Sequence, residues 1–289
     1  MKLSGRATVS FSIDPALARL ITQRFPAAQS AGSFFPLSGL TGQTGKVAVG
    51  ELTLLARHQS KAAPIPGVDR RREYHILRRL AGSGLAPAVY GYADAWLLLG
   101  WQPGEALRSE EFARQLAPLA ASVAALHQQP PSGYRLSLLR LLQQYWLLST
   151  PERRHHGWLR AIQKLKRQGE PKPLRLALLH MDIHAGNVIR HRDCLRLIDW
   201  EYASDGDVAL ELAAIVAGNA LDAEQQQRLT ISYARLQHLD PATLAQQMRR
   251  WQPWLSLLMA CWYELRWQQS QEQTFYALAA RAWQRVLSD

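Results

Sequence analysis

The stretch from residue 178 to residue 201 constrains this chain more than any other part of its sequence. An apolar run leads into a polar loop that contains Asp182 and Asn187, and after a short polar turn a second apolar segment ends at Asp199. Read as a hairpin, the pattern brings these three side chains to the same end of two strands. Two carboxylates and an amide suit a hard cation with oxygen ligands, and Mg²⁺ is the ion commonly held in this way together with substrate phosphates.

The spacing of the polar residues inside this stretch indicates which class of reaction they support. His180, Asp182 and Asn187 form a His-x-Asp-x-x-x-x-Asn pattern, and Asp199 follows at a strand end. Phosphoryl-transfer enzymes of the kinase type use this order: one Asp orients the attacking hydroxyl, while the Asn and the second Asp hold metal against the nucleotide phosphates. The alternative is an Asp- and Asn-rich turn that satisfies its own backbone. One Asp-x-x-x-x-Asn alone favours that alternative, whereas the whole set in order favours phosphoryl transfer.

Composition limits the remaining classes of protein. The chain has 289 residues, of which 47% are hydrophobic and 20% charged, and this is typical of a soluble protein with one large domain or two lobes. The formal net charge of +11 favours anionic partners without choosing among nucleotides, nucleic acids and membrane surfaces. Cys194 and Cys261 are too few for a disulfide framework or a zinc set. We find no pattern of a signal peptide or membrane span and expect a cytoplasmic protein.

Residues 1–101 are predicted to form a nucleotide-binding lobe. Gly39 and Gly42 lie in a glycine-rich segment before two strand patterns. Small residues there would let backbone N–H groups approach phosphates closely. A flexible hairpin turn explains the same segment equally well.

A cation and a carboxylate follow the glycine-rich segment. Arg57 ends a predicted strand, and Glu73 lies in a helix predicted over residues 70–80, so the two side chains can pair beside the nucleotide phosphates. Kinases usually carry Lys at this strand position, but the planar guanidinium group of Arg can also donate hydrogen bonds to phosphate. The alternative is that Arg57 is a solvated charge at the end of a strand. The arginines at 70–72 and 78–79 are predicted to form a solvated helix face. Trp101 is predicted to begin a hinge that meets the adenine, with an ordinary strand-exit turn as the alternative.

Residues 102–289 are predicted to form a mainly helical lobe for catalysis and substrate binding. One helix is expected from Ser109 to Leu126, with a kink at Pro118. A basic amphipathic segment spans residues 153–175. We interpret its charges as a solvated face, with steering of a nucleotide or binding of an acidic surface as the alternative. His127 is expected to be a helix-end or core histidine.

Two groups of residues in this lobe are candidates for substrate binding. Glu201 and Asp205 lie in an acidic loop after Asp199 and can contact metal or a cationic substrate. Trp254 and Trp262 belong to a tryptophan-rich closing segment, where aromatic rings can hold a flat cation by stacking and cation–π contact. Most of these tryptophans are expected to be core, with one or two facing a ligand.

The stretch around Asp182 resembles the catalytic loop of the aminoglycoside phosphotransferase and choline kinase superfamily. It departs from the protein-kinase form because Met181 stands in place of Arg, and Asp199-Trp200-Glu201 replaces Asp-Phe-Gly. The resemblance implies a two-lobed, protein-kinase-like α+β fold. Its N-terminal lobe would be a small antiparallel sheet, and its C-terminal lobe would be larger and mainly helical.

Within this superfamily the chain resembles the bacterial thiamine kinases from about residue 141 to its C-terminus. The matching segments are Gly157-Trp158-Leu159-Arg160, Pro171-Lys172-Pro173, Leu179 to Asn187, Leu197 to Ala214, and Arg249 to Leu255. The resemblance implies phosphorylation of the thiamine hydroxyl by ATP, with Mg²⁺ as cofactor. It further implies that Asp182 orients the hydroxyl, that Asn187 and Asp199 hold Mg²⁺, and that Arg57 steadies the phosphates.

Three other interpretations remain open. A kinase for another small alcohol, such as choline or an aminoglycoside, would share every catalytic residue. A binding module on an inactive kinase fold would more often have lost one of the three polar residues. A nucleic-acid binder would show steep salt dependence, but it leaves the acidic residues unexplained. We expect a monomer that binds thiamine and ATP, with neither nucleic acid nor membrane as a partner.

Overall fold

The chain divides into two structural units, Met1–Pro103 and Gly104–Asp289. The sequence predicts this boundary between residues 101 and 102. The computed structural model describes residues 13–26, 34–37, 43–60, 62–192 and 194–288.

The first unit is built around an antiparallel sheet. Its elements are α1 (Pro15–Arg24), β1 (Phe34–Leu37), β2 (Thr44–Val49), β3 (Leu52–His58), α2 (Arg70–Arg79), β4 (Val89–Ala93) and β5 (Trp96–Gly100). The strands follow the order β1-β2-β3-β5-β4. Asp14 caps α1 through bonds from two backbone N–H groups, and Pro15 occupies the first helical position, where its missing N–H costs nothing. The buried Leu17, Leu20 and Ile21 of α1 pack in one core with residues of β2, β3 and β5.

The second unit is mainly helical. Its helices are α3 (Ser109–Arg114), α4 (Leu116–His127), α5 (Leu138–Leu148), α6 (His156–Gln168), α7 (Val208–Gly218), α8 (Ala223–Gln237), α9 (Pro241–Ser270) and α10 (Gln273–Ser288). Its strands are β6 (Glu105–Ala106), β7 (Leu176–Leu179), β8 (Val188–His191), β9 (Cys194–Leu197) and β10 (Ser204–Asp207). They form a three-stranded sheet, β6-β8-β9, and a two-stranded sheet, β10-β7.

Two predictions about helices were wrong. The single helix expected from Ser109 to Leu126 is two helices, α3 and α4, separated at Gln115. Inside a helix, a proline cannot donate a hydrogen bond to the carbonyl one turn earlier, and its ring would clash with that carbonyl. Pro118 lies in the first turn of α4, where no earlier turn of the same helix exists and neither problem arises. The prediction that all the arginines of α2 are solvated fails at Arg70, which is fully buried.

The β8–β9 hairpin carries the polar residues that the sequence singled out. Val188 pairs with Leu197, and His191 pairs with Cys194 at the turn end. At the open end, the backbone N–H of Ile198 donates to the carbonyl of Asn187 at 3.0 Å. The hairpin therefore brings the residues around Asn187 and Asp199 to one end, as predicted.

Within the described ranges, none of the helices is both long enough and apolar enough to cross a membrane.

Candidate active site

The loop that contains Asp182 begins where β7 ends, and a buried carboxylate fixes its backbone. Glu211 of α7 accepts from the N–H of His180 at 2.6 Å and from the N–H of Met181 at 2.9 Å. Hydrogen bonds to a charged group contribute about 1.5–3 kcal/mol each. Met181 has φ 66°, in the left-handed region that residues with a side chain rarely adopt. The two bonds thus hold the loop in a shape that would not persist alone.

His180 joins the loop to the strand-end segment. Its Nδ1 accepts from the N–H of Asp182 at 3.3 Å, and its Nε2 lies 3.0 Å from the carbonyl oxygen of Ile198. Its ring centroid lies 4.6 Å from that of Trp200. These contacts shape the loop, because one buried ring connects both halves of the site. His184 makes a more local contact, accepting from the N–H of Gly186 at 3.1 Å.

Asp182 and Asn187 are in direct contact. The Asn187 amide donates from Nδ2 to Asp182 Oδ2 at 2.8 Å and to the Asp182 carbonyl at 3.0 Å. Oδ1 of Asp182 lies on the other side of the carboxylate, 3.9 Å from Nε2 of His184. The contact fixes the Asp182 side chain through Oδ2.

The electrostatics of Asp182 set it apart from an ordinary carboxylate. Burial raises its pKa to about 7, the charges of Asp199 and Glu201 add to the rise, and the bond from Asn187 partly opposes it. Clustered carboxylates raise one another's pKa because ionising all of them costs free energy. A cation placed among them would relieve that repulsion.

The donor atoms at this site fit a magnesium ion. Both bonds of the Asn187 side chain use Nδ2, so the amide Oδ1 points elsewhere and can act as a ligand. Asp199 follows the hairpin with φ 65°, and its charge acts on Asp182. Within the described ranges, no three His, Cys, Asp or Glu side chains are placed to hold a metal together. An amide and a carboxylate that share the ion with phosphate oxygens are typical of Mg²⁺.

In the first unit, the predicted pair of Arg57 and Glu73 is formed. Nη1 of Arg57 donates to Glu73 Oε1 at 2.9 Å, and both side chains are almost completely buried. Arg70 donates to the other oxygen, Glu73 Oε2, at 2.7 Å, so two guanidinium groups share one carboxylate. The burial of Arg70 was not predicted, because a run of three arginines is most often a solvated face.

The other predicted nucleotide contacts have different outcomes. Gly39 and Gly42 lie outside the described residues. Trp101 is 37% exposed, and the Nζ of Lys46 lies 4.7 Å from its ring centroid. Its part in binding adenine stays a prediction.

Burial separates the four residues predicted to bind substrate. Trp254 is 2% exposed, which is typical of a core residue, and its part in binding substrate stays a prediction. The Asp205 carboxylate accepts from the N–H and hydroxyl of Ser132 and from the N–H of Gly133 at 2.6–2.9 Å, an arrangement that favours a structural contribution to the loop. Trp262 is partly exposed, and Glu201 is buried close enough to affect Asp182.

Two tyrosines extend the set around Glu201. The hydroxyl of Tyr202 accepts from Trp262 Nε1 at 3.2 Å. Burial raises the pKa of Tyr145 and Tyr202, and the charge of Glu201 contributes to both shifts. These tyrosines were not predicted, because no local pattern in the sequence connects them. Glu211 was not predicted either, although it has a recognisable signal in the sequence: it is the one charged residue in the apolar run of α7.

The fold and these side chains define a phosphotransferase of protein-kinase-like architecture. A family model described as "Phosphotransferase enzyme family" matches residues 44–254, and the chain belongs to this family. It is similar to the thiamine kinases of Escherichia coli O157:H7 and Shigella dysenteriae serotype 1 (strain Sd197). Each is 44% identical over 216 residues, which cover 75% of this chain and 76% of the relative.

Solved structures confirm the predicted fold class. Choline kinase LicA from Streptococcus pneumoniae superposes with a TM-score of 0.74 and 16% identity, covering 94% of this chain and 98% of that chain. Aminoglycoside phosphotransferase APH(4)-Ia gives a TM-score of 0.64 and 19% identity, covering 93% of this chain and 97% of that chain. At such identities the likeness concerns the fold.

Proposed function

We propose that this protein is a thiamine kinase, which transfers the γ-phosphoryl group of ATP to the hydroxyl of thiamine and so makes thiamine monophosphate and ADP. The contact between Asp182 and Asn187, beside Asp199, is the observation that supports phosphoryl transfer. The 44% identity to curated thiamine kinases over 75% of the chain supports thiamine as the substrate.

Asp182 takes the central part in the transfer. Its Oδ2 is held by Asn187, so Oδ1 accepts the hydrogen bond of the substrate hydroxyl and directs the oxygen toward the phosphorus. A carboxylate hydrogen-bonded to the substrate hydroxyl can act as a general base. It therefore takes the hydroxyl proton as the oxygen–phosphorus bond forms and the bond to ADP breaks. Most of the rate enhancement comes from this positioning.

Asn187 Oδ1 and the Asp199 carboxylate would hold Mg²⁺. When bound, this ion neutralises charge on the phosphate oxygens. Arg57, which is held by Glu73, would steady the phosphates. The monomeric state, the absence of a nucleic-acid partner and a cytoplasmic location stay predictions.

Charge and aromatic surface together suit thiamine as the acceptor. Thiamine carries a positive ring, and the carboxylates of Glu201 and Asp199 lie close to Asp182. Tyr202 and Trp262, which are hydrogen-bonded to each other, supply rings for cation–π contact and stacking. Glu201 is therefore the residue that we expect to recognise the cation.

Replacing Glu201 by glutamine tests this assignment. The change keeps the shape of the side chain and removes its charge, so the KM for thiamine should rise on the order of tenfold while the KM for ATP stays the same. Steady-state kinetics with each substrate varied in turn measures both constants. Glu224→Gln, at an exposed position of α8, is the matched control. An unchanged KM for thiamine in Glu201→Gln would remove Glu201 from the substrate site.

A further inference from the structure

Three buried polar side chains from three helices meet behind the catalytic loop. His127 is the last residue of α4, Glu211 lies in α7 and Tyr233 lies in α8. Glu211 and Tyr233 are completely buried, and His127 is 6% exposed. None of them takes part in the transfer as derived above. Buried polar groups are costly unless they are paired, and this cluster therefore needs an explanation.

The hydrogen-bond directions in the cluster follow from the chemistry of its members. The Tyr233 hydroxyl lies 2.6 Å from Nδ1 of His127. Burial raises the pKa of Tyr233, so the hydroxyl keeps its proton and can donate it to Nδ1. With Nδ1 as the acceptor, the imidazole presents an N–H at Nε2.

That N–H faces Glu211. Nε2 of His127 lies 3.7 Å from Oε2 of Glu211, a distance for electrostatic attraction. Burial by itself would raise the pKa of Glu211, but the interactions with His127 and His180 together outweigh it, and the pKa lies below its usual value. Glu211 therefore stays ionised in a buried place.

The ionised carboxylate holds the backbone next to the catalytic aspartate. Its two oxygens accept separately from the N–H groups of His180 and Met181, and Met181 is in the left-handed region. Such a conformation persists only where the surroundings impose it. Asp182 is the next residue, so the direction of its side chain depends on this contact.

We propose that His127 and Tyr233 are positioning residues for phosphoryl transfer, which hold Glu211 in place so that the His180–Met181 backbone aims Asp182 at the substrate hydroxyl. The inference rests on the part proposed for Asp182. A purely structural contribution, in which the pair only joins α4 to α8, is the competing explanation. Misplacement of a reacting group lowers kcat steeply, whereas loss of a helix contact lowers only stability.

The variant Tyr233→Phe removes one hydroxyl and keeps the ring. We expect kcat to fall about tenfold with both KM values unchanged, and amide hydrogen exchange to become faster at His180 and Met181 in the absence of substrates. Thr230→Val is the matched control, since it removes another buried hydroxyl of α8, one that bonds to the carbonyl of Gln226 at 2.7 Å. It should change neither kcat nor the exchange of these two amides.

A conservative replacement at His127 separates positioning from packing. His127→Gln keeps a polar N–H that can face Glu211 and should retain more of kcat than His127→Leu does. The proposal is overturned if kcat of Tyr233→Phe equals that of Thr230→Val, or if exchange at His180 and Met181 does not change. Should Asp182→Ala keep its turnover while the exchange effect is found, the network stands and the proposed mechanism fails.

Discussion

Replacing Asp182 by alanine is expected to lower kcat on the order of a hundredfold to ten-thousandfold, the range typical of a lost general base. The change removes the carboxylate that orients the hydroxyl and accepts its proton. The affinity for ATP should stay close to that of the wild type, because the proposed phosphate contacts come from other residues. Turnover measured by ADP release and nucleotide affinity measured by calorimetry would test both parts. Retained turnover would exclude Asp182 as the base.

Asp182→Asn provides the folding control for this experiment. In the metal-free protein, burial and the neighbouring carboxylates raise the pKa of Asp182 to about 7, from a usual value near 3.8. A raised pKa means that ionisation destabilises the folded state as the pH rises through this range. Asp182→Asn cannot ionise. The Tm of this variant should therefore exceed that of the wild type at pH above 7, and the difference in Tm should be smaller at pH below 4. An equal Tm difference at both values would contradict the assigned electrostatics.

Replacing Asp199 by asparagine should weaken the binding of ATP in the presence of Mg²⁺ on the order of tenfold or more. Asparagine is suitable because it tolerates the left-handed conformation that Asp199 adopts, and it removes only the charge. In the presence of a chelator, the affinity for ATP should match that of the wild type. The ratio of the two affinities isolates the metal-dependent part.

The outcome that would contradict the metal assignment is specific. If Mg²⁺ strengthens ATP binding by the same factor in Asp199→Asn and in the wild type, Asp199 is not a ligand. A loss of affinity that persists in chelator would instead indicate a direct contact with the nucleotide or a change in the fold.

Local sequence patterns predicted the elements of the site well. The strands of the β8–β9 hairpin and the contact of Arg57 with Glu73 were both expected from apolar runs and order along the chain. These features depend on neighbours within a few residues, or on an arrangement that the resemblance to kinases implied. The same information placed Asp182 beside Asn187.

Contacts between distant elements could not be predicted in this way. Burial of Arg70 depends on its contact with Glu73 inside a packed unit, and a run of arginines gives no sign of it. Glu211 contacts the loop around Asp182 from α7, a helix that begins some twenty residues after that loop. The hydrogen bonds from the backbone N–H groups of residues 132–133 to the Asp205 carboxylate likewise join segments that are far apart in the chain.

The most direct test of the proposed function is ADP release with ATP and Mg²⁺, measured with thiamine, choline, an aminoglycoside or no acceptor. We predict strong turnover with thiamine alone, and a product that is thiamine monophosphate. Turnover with choline or the aminoglycoside and none with thiamine would contradict the proposed substrate while keeping the phosphotransferase chemistry. ATP binding without turnover on any acceptor of the panel would contradict the proposal that this protein is a thiamine kinase.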